Sequence, residues 1–243
     1  MTRMFRVGCA VCCAAVGSVF AHNASAATLL HYYPFSSDAN DAVGGANGTL
    51  LGGSSITGGT LQLDGSTGYV QFGSHIVPTS GSYSVAMFAK ADFLPTGVFE
   101  LISQGSSGGP GFYIGKDATA QRFIRASDSW QNTGVQYPND GAMHHFALVV
   151  NSATSSSLLY LDGQAVATGP LIATTTGGSD TRLGRQFGGI AEFFPGTLDE
   201  VRVYSGALTG AEVAALIPAP SPILLLFSPL VAAAAKRRRA SVG

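Results

Sequence analysis

Residues 143–168, MHHFALVVNSATSSSLLYLDGQAVAT, carry the pattern that decides the fold. His144 to Val150 and Ser157 to Leu161 are short runs of aliphatic, aromatic and β-branched residues, and the polar loop Asn151 to Ser156 separates them. Runs of this kind bounded by turn formers predict strands. Asp162-Gly163 follows at once. This pair tolerates the positive φ of a type I′ turn, so the chain doubles back into a third strand over Gln164 to Thr168. Strands joined in this way pair antiparallel.

Outward from this hairpin the same punctuation repeats in both directions. Thr28 to Phe35, Thr60 to Leu63, Thr67 to Phe72, Val98 to Ile102, Gly111 to Gly115, Gln121 to Ala126, Thr181 to Arg185 and Gly196 to Tyr204 read as further strands. Ser82 to Ala91 alternates, with Tyr83, Val85, Met87 and Ala89 on one face and Ser84, Ala86, Phe88 and Lys90 on the other, as a half-buried strand requires. One helix is predicted near the end. Thr209 stands three residues before Glu212, a capping-box spacing, ahead of Val213 to Leu216. About a dozen antiparallel strands with one short helix predict an all-β chain, a two-sheet jelly-roll sandwich.

The two ends read as addresses. Arg3 and Arg6, the apolar stretch Val7 to Phe20 and the small residues Ala24-Ser25-Ala26 form a secretory signal peptide over residues 1–26. Cys9, Cys12 and Cys13 all lie inside it, so the mature chain has no disulfide, thiolate metal site or cysteine nucleophile. At the other end, Ile217-Pro218-Ala219-Pro220 precedes an apolar run over 223–235 and the basic cluster Lys236-Arg237-Arg238-Arg239. As a helix the run spans about 20 Å, against a hydrocarbon core of about 30 Å. It suits transient membrane contact with the arginines on the cytoplasmic side, a short transmembrane segment and not a permanent anchor. Between these ends lies one domain, residues 27–216. The chain has 13 Lys and Arg against 14 Asp and Glu. Two basic residues belong to the signal and four to the tail, leaving seven against all 14 acids and a core charge of −7. That balance argues against nucleic acid as a partner and favours neutral glycans over acidic ones.

No zinc-protease motif His-Glu-x-x-His occurs. Retaining glycosidases need paired carboxylates on one strand face. Here the only adjacent acids are Asp199-Glu200, which in a regular strand point to opposite faces. His144 and His145 likewise face opposite ways and read as packing residues. Trp130, the single tryptophan, sits in the polar stretch Ser127 to Asn132, read as a loop. Exposed there, its ring would stack on a sugar, with Asp128, Gln131 and Asn132 bonding hydroxyls. The alternative is a lid on the end of the core.

Two resemblances complete the reading. Tyr33-Pro34-Phe35 with Asp38, Asn40 and Asp41 opens the domain. Leu63-Asp64-Gly65, Gly68-Tyr69-Val70, Met143 to Val149, Leu159 to Gly163, Leu183-Gly184-Arg185, Gly196 to Tyr204 and Ala207-Leu208-Thr209 follow in order. This set resembles the LamG-like domain of the concanavalin A-like lectin/glucanase superfamily, with Met143 where the family usually has tryptophan. The resemblance implies two curved antiparallel sheets and binding of carbohydrate or matrix more often than catalysis. It also implies a calcium ion at the rim, for which Asp38, Asp41 and Asp199 are the candidate ligands. The tail, residues 217–243, resembles the PEP-CTERM sorting signal, with Ala219 in place of the usual glutamate and Pro218, Pro220, Arg237, Arg238 and Arg239 completing the pattern. It implies an exosortase partner and an exported protein at the cell surface, outer envelope or matrix of a Gram-negative bacterium. The expected function is non-catalytic binding of polysaccharide or extracellular matrix. The alternatives are a structural matrix protein with protein partners and, more distantly, a glycoside hydrolase.

Overall fold

A computed structural model describes residues 26–105, 111–118, 121–126, 129–170, 180–189 and 191–219. The signal peptide and the tail from Pro220 onward lie outside the described residues, and so does Asp128.

Two antiparallel sheets face each other, as the alternation predicts. The eight-stranded sheet runs in the order β13 (Gln164–Pro170), β12 (Ser156–Leu161), β11 (His144–Asn151), β6 (Tyr83–Ala91), β15 (Pro195–Ser205), β4 (Thr60–Asp64) and β3 (Ser55–Thr57). Its eighth strand, β1 (Thr28–Tyr33), pairs with the far half of β15. The seven-stranded sheet runs β10 (Ser129–Gln136), β9 (Gln121–Ala126), β8 (Gly111–Lys116), β7 (Phe99–Gly105), β14 (Asp180–Leu183), β5 (Tyr69–Phe72) and β2 (Gly48–Leu51). The core lies between them. Tyr83, Val85, Met87 and Ala89 point into it from β6 and meet Val70, Phe72, Phe99, Phe112 and Phe194. Asp162 and Gly163 take φ of 49° and 77°, the hairpin turn expected of that pair.

The opposite faces are treated differently. Behind the eight-stranded sheet, the helix α1 (Gly210–Ala215) packs Val213 onto Ala86, Ala147, Val149 and Tyr160. Its capping box forms: the Thr209 hydroxyl accepts the Glu212 N–H, and the Glu212 carboxylate accepts the Thr209 N–H. Behind the seven-stranded sheet, the segment from Gly184 to Phe194 crosses from β14 to β15. Gly184 N–H donates to Leu101 C=O and Phe194 N–H donates to Gly184 C=O, both at 2.9 Å. Gly184 has φ of +78°, and a Cβ there would lie 2.4 Å from a Leu63 methyl, so only glycine fits this crossing.

Three strands, β2, β3 and β10, fall outside the segments that the sequence predicts as strands. β2 and β3 are four and three residues long, and β10 reads SWQNTGVQ, with little apolar alternation. Trp130 is therefore in a strand and not in a loop, because pairing with β9 supplies hydrogen bonds that side-chain pattern does not reveal.

A buried glutamine fastens the loop after β5. Gln104 Oε1 accepts the N–H groups of Ile76 and Val77 at 3.0 and 2.9 Å, and its Nε2 donates to Val77 C=O at 2.8 Å. Replacing it with methionine keeps the length and strands those backbone groups in the core. Gln104→Met should cost about 3 kcal/mol, lowering the melting temperature by roughly 6–12 °C for a domain of this size. A fall under about 2 °C would show that residues 76–77 find other partners.

Candidate glycan-binding face

In antiparallel sheets, directly opposed residues share a face. Thr49 pairs with Gln71, Gln71 with Arg182, Arg182 with Ser103, Ser103 with Tyr113, Tyr113 with Arg125 and Arg125 with Trp130. One register row thus crosses the whole seven-stranded sheet and ends at Trp130. Tyr113 packs with Phe187 in a cluster separate from the core, which marks this row as lying on the outer face. Asn132 and Gln131 follow on the same strand; of residues 129–132 the backbone alone is described.

The crossing segment is fixed onto the middle of this face. The Ser103 hydroxyl donates to Arg185 C=O at 2.8 Å and accepts Phe187 N–H at 2.9 Å. Gln186 Nε2 donates to the Tyr113 hydroxyl at 2.6 Å, and Arg182 Nη1 donates to Gln186 C=O at 3.1 Å. Phe187 stacks on Tyr113 with ring centres 5.1 Å apart. A side chain at Gly105 would place its Cβ 2.5 Å from the Phe187 ring. Beside the crossing, half-buried Tyr69 from β5 meets two guanidiniums, Arg182 at 5.1 Å and Arg185 at 4.8 Å from its ring centre. Arg185 also lies 4.7 Å from Phe193. Aromatic rings and planar hydrogen-bonding groups therefore stand side by side on the outer face. Gln186 is buried and its Oε1 has no hydrogen-bond donor among the described residues. Sequence reading named Leu183-Gly184-Arg185 as a motif but did not foresee this grouping, because Tyr69 and Phe193 reach it from distant segments.

A second polar cluster lies behind the eight-stranded sheet. Asp199 opposes Phe88 and Phe88 opposes His145. A β-bulge between Asp199 and Arg202 places Glu200 at φ +54°. The bulge breaks the alternation expected for Asp199-Glu200, so both carboxylates lie on the outer side while Leu198 and Val201 fill the core. Glu200 accepts from the Tyr32 hydroxyl at 2.8 and 2.9 Å and from Arg202. Asp199 accepts Glu200 N–H, and burial raises its pKa to about 6. His145 is buried edge-on to Phe88, and burial, aided by the Arg202 charge, lowers its pKa to about 4. His144 faces the other way, as expected. It bonds Asp162 at 2.8 Å and Asp140 at 3.0 Å. Burial opposes its charge, but these two carboxylates prevail and raise its pKa.

The expected calcium ligands are not gathered. Asp41 faces backbone, accepting the N–H groups of Tyr32, Val43 and Ala46 and bonding His31 at 2.6 Å. Asp38 is exposed and bonds Asn40, and Asp199 belongs to the bulge. Among the described residues no group of three or more His, Cys, Asp or Glu could hold a metal ion. A carboxylate satisfied by N–H donors orders its loop without a cation, so these residues do not fit calcium. Burial raises the Asp41 pKa, but hydrogen bonds from His31 and the backbone outweigh it and bring it to about 2. The folded pKa lies below the ordinary value of 3.8. Its stabilisation is therefore complete above about pH 4 and is lost as pH falls toward about 2, about 2 kcal/mol in all. Asp41→Asn should shrink that acid limb in melts recorded across this range. Melts of the parent chain in calcium and in chelator should superimpose; a calcium shift of several degrees would require a site elsewhere.

The comparisons agree with the architecture. A family profile described as the Concanavalin A-like lectin/glucanases superfamily, of laminin G type, matches residues 64–214. No curated protein sequence matches the chain significantly. Domain 4 of an extracellular arabinanase from Geobacillus stearothermophilus, solved with arabinotriose, has a TM-score of 0.64 at 22% identity, covering 79% of this chain and 99% of that one. Trypanosoma rangeli sialidase with 2,3-difluorosialic acid gives 0.60 at 17%, over 77% of this chain and 32% of that one. Botulinum neurotoxin type C, in a study tying its cell entry to two ganglioside molecules, gives 0.60 at 12%, over 78% and 50%. The chain thus spans about a third of the sialidase and half of the toxin chain, and at these identities the likeness is one of fold. With its match extending over more than half of its length and its two-sheet architecture, the chain belongs to the concanavalin A-like lectin/glucanase superfamily.

Proposed function

We propose that this protein is an exported, non-catalytic module that binds polysaccharide or extracellular matrix through the outer face of its seven-stranded sheet. The observation that carries the reading is the grouping of Tyr69, Phe193, Arg182, Arg185 and Gln186 beside the crossing segment. A sugar ring offers an apolar face to an aromatic side chain and hydroxyls to planar amides and guanidiniums. A sugar hydroxyl is also a fitting donor for Gln186 Oε1, which is buried without one. Solved structures of the same fold, an arabinanase domain with arabinotriose and a neurotoxin whose cell entry depends on gangliosides, support the reading.

Trp130 extends the surface in this proposal, its register position ending the row that begins at Thr49. Asp128, Gln131 and Asn132 remain the proposed hydroxyl partners around it. Hydrolysis is the weaker reading. Both Glu200 oxygens accept from Tyr32, and Arg202 binds one of them, so this carboxylate is committed to holding the bulge. The exosortase partner and the Gram-negative surface are also part of the proposal. They rest on the Pro218 to Arg239 pattern alone. No helix among the described residues is long and apolar enough to cross a membrane, and the 223–235 run lies outside them.

Trp130→Ala should abolish retention on a polysaccharide matrix while the melting temperature stays nearly constant. If the variant unfolds, the ring belongs to the core; if it folds and still binds, the surface beside Arg185 suffices. No reducing sugar should be released from any bound polysaccharide, and release would favour the hydrolase. Intact-mass measurement on surface-released protein from an exosortase-bearing host should show Lys236 to Arg239 missing. Their retention would defeat the sorting proposal.

A further inference from the structure

Three parts of the chain meet at His144: its own strand β11, the segment 137–143 that leads into it from β10, and the turn at Asp162-Gly163 between β12 and β13. Its Nδ1 lies 2.8 Å from Asp162 Oδ2, and its Nε2 lies 3.0 Å from Asp140 Oδ1. An ionised carboxylate only accepts hydrogen bonds, and a neutral imidazole has one N–H and one lone pair. With a neutral ring, one of the two contacts would set a lone pair against a carboxylate oxygen. Only the imidazolium, a donor at both nitrogens, satisfies both acids together.

The two acids are not held equally. Asp162 Oδ1 also accepts the His145 N–H at 2.9 Å, and the Asp162 N–H donates to His145 C=O at 2.8 Å. The hairpin turn is therefore fastened to β11 whatever the charge on the ring. The Asp140 side chain is 62% exposed, and its other bond, from Ala142 N–H at 2.9 Å, lies within its own loop, where Gly141 turns the chain at φ +78°. The His144 ring is what ties Asp140 to the strand. Tyr137, buried against Phe99 and Phe146, anchors the segment ahead of the loop, so any release is confined to residues 138–143. From β6 the residue opposite His144 is Ala89; Lys90 lies on the other face, paired to Asp92 at 3.2 Å, and so does His145.

We propose that residues 138–143 form a latch operated by the proton on His144, closed while the ring is charged and released from Asp140 when it is neutral. Burial of the ring opposes its charge, but the two carboxylates outweigh burial and raise the folded pKa above the ordinary 6.5. The hold is therefore complete below 6.5 and is lost as pH rises through the folded value. On the acid side, the bond from His144 lowers the pKa of Asp140 from 3.8, so the hold is complete above 3.8 and is lost as pH falls through the lowered value.

The test is an NMR pH titration of the full chain that follows the His144 ring protons and the order parameters of the 139–143 amides. The ring should titrate above 6.5, and each pH unit of that rise corresponds to a grip about tenfold tighter in the charged form. Across the same midpoint the loop order parameters should fall from about 0.85 to under about 0.6, while those of Asp162 and Gly163 hold steady. Asp140→Asn keeps an acceptor for Ala142 N–H and removes the charge, so it should bring the midpoint down toward 6.5. Should that variant fail to fold, His144→Gln replaces it, and its loop should be mobile below 6.5 as well as above. A ring titrating at or below 6.5 would overturn the latch. A raised midpoint with unchanged loop order parameters would do the same, since the ion pair would then restrain nothing. So would a midpoint unmoved in Asp140→Asn, or a rigid loop in His144→Gln.

Discussion

The passage of the chain from one sheet to the other between Gly184 and Phe194 is the constraint on which the rest of the molecule depends. Its ends are held by two backbone hydrogen bonds that join Leu101, Gly184 and Phe194. At the near end a left-handed glycine is wedged against Leu63, and at the far end Phe194 enters the core between Phe99 and its neighbours. Strand β15 then begins, and it pairs with β6, β4 and β1 at the centre of the eight-stranded sheet. This passage thus seals the core, sets the register of β15 and brings Arg185, Gln186 and Phe193 onto the opposite face. A larger residue at Gly184 would disturb all three at once.

The two outer faces consequently have different uses. Behind the eight-stranded sheet, the apolar patch is closed by α1, and Glu200 is paired there while the buried ring nitrogens of His145 lack a hydrogen-bond partner among the described residues. Glu200 holds Tyr32 and Arg202, and His145 is neutral against Phe88. That cluster stabilises a strained bulge, with a left-handed glutamate held by a hydroxyl and a guanidinium. Behind the seven-stranded sheet, the crossing segment covers Ser103 and Tyr113 but leaves Tyr69, Arg185 and Phe193 half-buried at its side. Groups half-buried and already stacked suit recognition, since they are ordered before any ligand arrives.

The sequence made the core strands and the helix legible because their burial follows a fixed period. Tyr83 to Ala89 alternates strictly, Asp162-Gly163 permits only a tight turn, and Thr209 with Glu212 announces its own cap. His144 and His145 were separable for the same reason, one residue being half a period. The bulge at Glu200 was not legible, since a left-handed glutamate depends on Tyr32 and Arg202, which no local pattern connects to it. Asp41 read as a metal ligand because its partners are backbone N–H groups, which sequence does not display. Strand β10 read as a loop because its residues are mostly polar, and only its pairing with β9 identifies it.

Charge shows most clearly why composition alone misjudges such a face. Four of the seven basic residues in the core, Arg122, Arg125, Arg182 and Arg185, belong to β9, β14 or the crossing segment. Several of the acids are engaged locally. Asp64 accepts three backbone N–H groups and two hydroxyls around its own turn, Asp41 accepts three backbone N–H groups, and Asp140 and Asp162 share His144. N–H donors around a carboxylate offset part of its negative potential and favour its charged form. The formal −7 is therefore a sum over groups engaged within their own loops, and it does not describe any one face. What stands on that face is set by where the chain crosses the sheet, which brings Arg185 and Phe193 beside Tyr69 and Gln186 onto Tyr113.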